Sequence, residues 1–268
     1  MRICLYMPQQ IGKQPVHQAY LAQVRDGLAV DRDIEITDRF PDLIHVFGAW
    51  NAQALHAVRR AHRLLIPTVY SPLGDLSPWK LREKRCRPFD LSRQKQATRS
   101  ASCVLVWGEL ERKAIEQRRW SSHIVVVPNA VITSQITQTD MASRIKELYR
   151  NVIDQHDLRM HHNIDGRLAA FGDEAETALC HLFLYLRYRF HRRNILQEDL
   201  KRLTDTLNTL EYDEDRLNEM LRTLHEERFA ARILQVLADD CGLTEGFMPA
   251  DPIDDKRTAQ IRAAIYTK

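Results

Sequence analysis

A doubly wound α/β domain with a mostly parallel sheet, followed by an all-α domain, is the fold the sequence predicts. Three observations predict it. Short runs of β-branched and apolar residues alternate with helical stretches through the first half, and those runs are apolar on both faces. After about residue 140 the strand-like runs stop, and apolar residues recur only at helical spacing.

The strands are expected, in order, at RICLYM (2–7), IEIT (34–37), DLIHVFG (42–48), PTVYS (67–71), CVLVW (103–107) and HIVVV (123–127). Between them VHQAYLAQVRDGLA, AQALHAVRRAHRLL, DLSRQKQATRSA and ELERKAIEQR place apolar residues at helical intervals. Strand, helix and strand in alternation set the first domain at residues 1–135. In such a sheet ligands bind beyond the carboxyl ends of the strands. The loops to watch are therefore Pro8 to Pro15, Gly48 to Asn51, Pro72 to Trp79, Gly108 to Glu109 and Pro128 to Ala130.

The polar stretch TSQITQTD (133–140) reads as the linker. The helical domain is set at 141–268, as a bundle or as hairpins. Asp173 with Glu176 reads as an N-cap and its partner, ahead of Leu179, Leu182, Phe183, Leu186 and Phe190 on one face. Leu200, Leu203, Leu207 and Leu210 continue the pattern, and Leu217, Leu221, Leu224, Ile233 and Leu237 make a further stripe. Asp251 and Pro252 are expected to open a last helix as N-cap and first-turn proline. Tyr185, Tyr188 and Phe190 read as core or interface packing.

Of 268 residues, 44% are hydrophobic, enough for a substantial core without staples. The five cysteines are scattered, with no C-x-x-C pair, which argues against a disulfide framework and a zinc site. MRICLYMPQQ lacks the apolar length of a signal peptide or membrane span, and ALCHLFLYL (178–186) is too short to cross a bilayer. A reducing, cytoplasmic setting is the expectation. Charge divides unevenly: up to residue 140, twenty Lys and Arg face thirteen Asp and Glu, whereas beyond it nineteen face twenty-three. An anionic partner should prefer the first half.

His156, His161 and His162, near Asp157 and Asp165, fit no standard metal spacing and lie in what reads as a polar connector. No metal is expected. Neither G-x-G-x-x-G nor a P-loop motif is present, so no cofactor is expected either.

Four segments in order, PDLIHVFGAW, IPTVYSPLGDLSPWKLREKR, ATRSASCVLVWGELERKAI and HIVVVPNAV, resemble the N-terminal, acceptor-side domain of family 4 glycosyltransferases. The resemblance covers roughly residues 1 to 132. It implies the Rossmann-like half of a GT-B fold, in which a second Rossmann-like domain holds the nucleotide sugar. It also implies an acceptor cleft around Gly48, Trp50, Ser71, Gly74 and Trp79, with Glu109 where the chain leaves the fifth strand.

Departures accompany the matches. Where the family reads S-P-H-G, Leu73 replaces the active-site histidine, and leucine moves no proton. The family's P-N-G has become Pro128, Asn129 and Ala130. The donor domain's paired glutamates have counterparts in spacing only, at Glu211, Glu219 and Glu227. These sit in a helical run without glycine and read as solvated helix faces. No catalytic residue is assigned.

Lys80, Arg82, Lys84, Arg85 and Arg87 follow the Ser71 to Trp79 loop. They are read as steering an anionic acceptor such as a lipid diphosphate, as holding the domain peripherally on an acidic membrane surface, or as a solvated basic loop. Nucleic acid is disfavoured, because the run lacks interleaved aromatics. Two functions are carried forward. One is a glycosyltransferase-like protein of glycan or polysaccharide assembly which, if an enzyme, is a nucleotide-sugar-dependent glycosyltransferase working with a partner subunit or with a donor site built against the helical half. The other is a noncatalytic, glycosyltransferase-derived scaffold or regulatory protein whose helical domain docks a partner or makes a homo-oligomer.

Overall fold

The computed structural model describes residues 1–83, 88–172 and 174–266. In chain order, β1 (Arg2–Tyr6), α1 (Gln9–Gly12), α2 (Pro15–Ala29), β2 (Glu35–Ile36), β3 (Leu43–Phe47), α3 (Ala52–Arg63) and β4 (Thr68–Ser71) come first. Next are α4 (Pro78–Glu83), α5 (Pro88–Ser100), β5 (Cys103–Val106), α6 (Glu109–Gln117), β6 (Ile124–Val126) and α7 (Gln138–Leu168). Last come α8 (Ala175–His191), β7 (Ile195–Leu196), α9 (Gln197–Thr209), α10 (Glu214–Thr223), α11 (Glu227–Cys241), a 3-10 turn (Glu245–Phe247), α12 (Lys256–Arg262) and β8 (Ile265–Tyr266).

Strands β1 to β6 form one parallel sheet in the order β2-β1-β3-β4-β5-β6. All six expected strands are present, and the four expected helices stand between them. Every residue of β4 and β5 is buried, as a strand covered by helices on both sides requires. On one face Val46, Tyr70, Val104 and Val106 pack with Ala54, Leu55 and Val58 of α3, Ala97 of α5 and Ile115 of α6. On the other, Ile3, Phe47, Val69 and Leu105 pack with Tyr20, Val24 and Leu28 of α2 and with Met141, Ile145, Tyr149 and Val152 of α7. The helices fall on these faces because the chain steps from β1 outward to β2, then returns across β1 and proceeds in one direction from β3 to β6.

The chain divides into two compact units, residues 1–156 and 157–268, with the boundary inside α7. In the second unit Met160, Ile164 and Leu168 join Leu179, Phe183, Leu203, Leu207, Leu217, Ile233 and Leu237 in one helical core. Four expectations for this half are corrected. The region around His156 to His162 is part of α7, because Met160, Ile164 and Leu168 give it an apolar stripe among polar neighbours. The Leu217 to Leu237 stripe breaks at His225, which adopts φ 58° between α10 and α11.

The last helix opens at Lys256 rather than at Asp251: Asp255 accepts from the Arg257 and Thr258 amides, and the Thr258 hydroxyl accepts from the Asp255 amide in return. A short parallel pairing, Ile195 with Ile265 and Leu196 with Tyr266, also exists where no strand was expected. Asp173, the expected cap of α8, lies outside the described residues. Its expected partner Glu176 is buried and accepts from the Asp213 amide at 2.6 Å.

Candidate functional site

Because all six strands run the same way, the loops after β3, β4, β5 and β6 gather at one edge of the sheet. This is the edge to which the acceptor-side residues belong. Gly48 follows β3 at φ 102°, and its amide donates to the Ser71 carbonyl at 2.8 Å. A side chain at Gly48 would meet Ile11 Cγ1 at 2.7 Å. Trp50 stands at φ 60°; its amide donates to Gln94 Oε1 at 2.9 Å, and its indole Nε1 donates to the Asp75 carbonyl at 3.1 Å. Asn51 then caps α3, accepting from the Gln53 and Ala54 amides.

The opening of the 72–79 loop is a tight turn. Leu73 and Gly74 take φ 60° and 85°, and the Asp75 amide donates to the Pro72 carbonyl at 3.2 Å. That is the arrangement of a turn with both central residues left-handed, natural for Gly74 and strained for Leu73. The strain is held by burial: Leu73 is 4% exposed and belongs to the core of the α2 and α7 face. Gly74 lies against the ring of Trp107.

Two buried polar networks tie these loops together. In the first, Gln94 of α5 donates through Nε2 to the Tyr70 hydroxyl at 2.9 Å, and that hydroxyl donates to the Gly48 carbonyl at 3.2 Å. With its Oε1 on the Trp50 amide, one glutamine side chain secures both ends of the turn after β3. In the second, Glu111 on α6 reaches across to accept from the Leu76 amide at 3.0 Å. Burial pushes its carboxyl up to about 7, against the lowering effect of the backbone donors around it.

A third network lies one step inside. His45 of β3 is fully buried, with Nδ1 2.5 Å from the Tyr149 hydroxyl and Nε2 2.7 Å from Ser71 Oγ. Burial lowers its pKa to about 3, so the ring stays neutral and one nitrogen donates while the other accepts. Ser71, expected to line a cleft, is instead fully buried and engaged by His45.

The remaining expected residues are on the surface. Glu109 is exposed and pairs with Arg112 at 2.7 Å on the outer side of α6. Trp79, Lys80 and Arg82 are exposed on α4. Lys84, Arg85 and Arg87 lie outside the described residues. Glu219 pairs with Arg216, and Glu227 with Arg222, on separate helices; Glu211 is exposed between α9 and α10. The expected acceptor-side set is thus split: Gly48, Trp50, Ser71 and Gly74 come together, while Trp79 and Glu109 point outward.

Two open grooves among the described residues lie away from those four residues. One of about 900 Å³ runs between the end of α2 and the start of α7, lined by Asp31, Asp33, Gln138 and Lys146 among others. Another of about 440 Å³ sits at the amino end of β5 and β6, beside Arg99, Arg119 and His123. In the second unit His161 stacks on His181 and on Tyr185, with centroids 5.4 and 5.6 Å apart. Among the described residues no three His, Cys, Asp or Glu side chains gather as a metal set, and no helix is long and apolar enough to cross a membrane. Burial holds the Cys4, Cys103 and Cys180 thiols up at about 12, which keeps them unreactive.

His45, Gln94, Glu111 and Tyr149 went unremarked in the sequence. The signal for three of them was present, as polar residues at the buried phase of DLIHVFG, DLSRQKQATRSA and ELERKAIEQR. Compared with protein-family models, curated proteins and solved structures, the chain matches none of them.

Proposed function

We propose that the chain is a noncatalytic, glycosyltransferase-like binding protein of glycan or polysaccharide assembly, in which the sheet unit serves as a platform and the helical unit as the element that docks a protein partner or a second copy. The observation that carries this reading is Leu73. At the position where the resembling motif has its histidine, this chain has an apolar residue packed into the core.

The neighbouring groups support it. Ser71 is engaged by His45, Trp50 is pinned to the Asp75 carbonyl, and Glu111 is used in holding the Leu76 amide. These three contacts hold the loops after β3 and β4 against the sheet. The buried thiols fit work in a reducing, cytoplasmic compartment.

A thermal-shift screen of the purified chain against UDP-, GDP-, ADP- and CMP-sugars and the free nucleotides tests the reading, because a ligand at about a hundred times its Kd raises stability by roughly 2.7 kcal/mol. A flat screen, together with a stable oligomer or partner complex that is lost on altering the surface of residues 157–268, is the expected result. A shift with one nucleotide sugar accompanied by its turnover overturns it in favour of an active transferase.

A further inference from the structure

We propose that the edge at the amino ends of β4, β5 and β6, where α3, α5 and α6 finish, docks an extended acidic segment of a partner protein. Contacts join the three helix ends. Arg59 of α3 donates through Nη1 to Gln96 Oε1 of α5 at 3.2 Å. A turn later, Arg99 donates through Nε and Nη2 to the Arg119 carbonyl just past α6, at 3.3 and 3.1 Å. Those bonds fix the Arg99 guanidinium and leave its remaining N–H donors for a ligand. Beside it, Arg99, Arg119, Ser121, Ser122 and His123 line the groove of about 440 Å³.

Charge selects an anion, and the groove selects which. No Asp or Glu occurs in residues 49–74, 91–108 or 117–139. Arg60, Arg99, Arg118 and Arg119 are exposed, and among the described residues no carboxylate pairs with them or with Arg59. The carboxylate that lines the groove, Glu116, is held by Arg112 at 2.8 Å. Each helix end carries a partial negative charge of about half an elementary charge, which these arginines together outweigh. A groove of this volume takes a single chain a few units at a time rather than a duplex. Single-stranded nucleic acid stacks its bases on exposed aromatic rings, and Trp120, the indole at the groove, is 5% exposed. Helix ends also present carbonyl oxygens, which accept the backbone N–H groups that a peptide carries and a phosphate chain lacks. Its carboxylates match the arginine forks. This edge is at the opposite end of the strands from Gly48, Trp50, Ser71 and Gly74, so the inference does not rest on the noncatalytic reading.

The test is fluorescence anisotropy of a labelled Glu-Gly repeat peptide, and of its Gln-Gly counterpart, titrated with the full chain at low and high salt. Binding is expected for the Glu-Gly peptide alone, and it weakens as salt rises. Arg99→Gln/Arg119→Gln should weaken it about twenty-five-fold, at about fivefold per arginine. Glu116→Gln should tighten it, because it removes the carboxylate that lines the groove; a gain of binding does not come from misfolding, so this variant decides the matter even if loss of the Arg99 brace lowers the melting temperature. Arg25→Gln/Arg32→Gln, which alters exposed charge in and just beyond α2 on the other face of the sheet, should leave binding unchanged. Absence of binding at low salt, equal weakening by the Arg25 and Arg32 pair, weakening by Glu116→Gln, or tighter binding of a polyphosphate or polygalacturonate chain of equal charge would each overturn the proposal.

Discussion

Placing histidine at position 73 is the substitution that tests most directly whether Leu73 belongs to the core. If Leu73 faces an open cleft, Leu73→His should be tolerated; if it is core, the same change should lower the melting temperature of the sheet unit. The side chain is 4% exposed among Phe47, Val69, Val127 and Met141. Loss of a buried leucine removes about 1.5–3 kcal/mol of apolar burial, of which the imidazole carbons return part. A ring nitrogen left without a partner adds about 1–3 kcal/mol. Histidine tolerates positive φ better than leucine, which offsets a fraction of this at φ 60°. The sum is a destabilisation of about 2–4 kcal/mol, or about 5–15 °C in Tm for a unit of this size.

All four tryptophans, Trp50, Trp79, Trp107 and Trp120, lie in the first unit, so tryptophan emission during heating reports on that unit alone. Leu73→Met, which conserves volume, should stay within about 1.5 kcal/mol of the parent and serves as the control. Wild-type melting of Leu73→His, or any sugar transfer gained by it, would refute the assignment of this position to the core.

Two further outcomes follow from the buried networks. Tyr149→Phe removes the hydroxyl from His45 Nδ1 while leaving the ring buried, and should cost about 1–3 kcal/mol in urea unfolding followed by tryptophan emission. Combined with Ser71→Ala in a double-mutant cycle it should be non-additive, since both act on one imidazole; additivity would show the two contacts to be independent. Glu111 predicts a pH dependence. Its folded carboxyl is raised from 4.5 to about 7, so the folded state keeps a proton that the unfolded state has released. Its stabilising effect is complete below the ordinary carboxylate range and is lost as pH rises through about 7. Glu111→Gln should flatten that slope, and an unchanged slope would place the titration elsewhere.

What the sequence made legible follows the range of the forces involved. The alternation of short apolar runs with helical stretches is a local pattern, and it located all six strands of the sheet, the fully buried β4 and β5 and the partly exposed edge strands β2 and β6 alike. The ends of helices in the second half depend on single residues, and there the reading slipped: Asp251-Pro252 and Asp255 are both plausible caps, but only Asp255 has Thr258 three residues on to complete the box. The long helix α7 was missed because its apolar positions serve two cores in turn, Met141 to Val152 in one unit and Met160 to Leu168 in the other, among polar residues that mask the stripe.

The candidate site was the least legible part, for a related reason. Gly48, Trp50, Ser71 and Gly74 were recognised as belonging to one edge, yet whether that edge is open depends on residues remote in sequence. Tyr149 lies 104 residues from the His45 it meets, Glu111 lies 35 from the Leu76 amide it holds, and Gln94 lies 44 from Trp50. A glycine at a strand end marks a turn without revealing what fills the space beside it, and here Ile11 fills it. The turn that Leu73 and Gly74 build needs only a left-handed backbone and a neighbour to pack against, so its sequence is compatible with a leucine packed into the core as well as with an open loop.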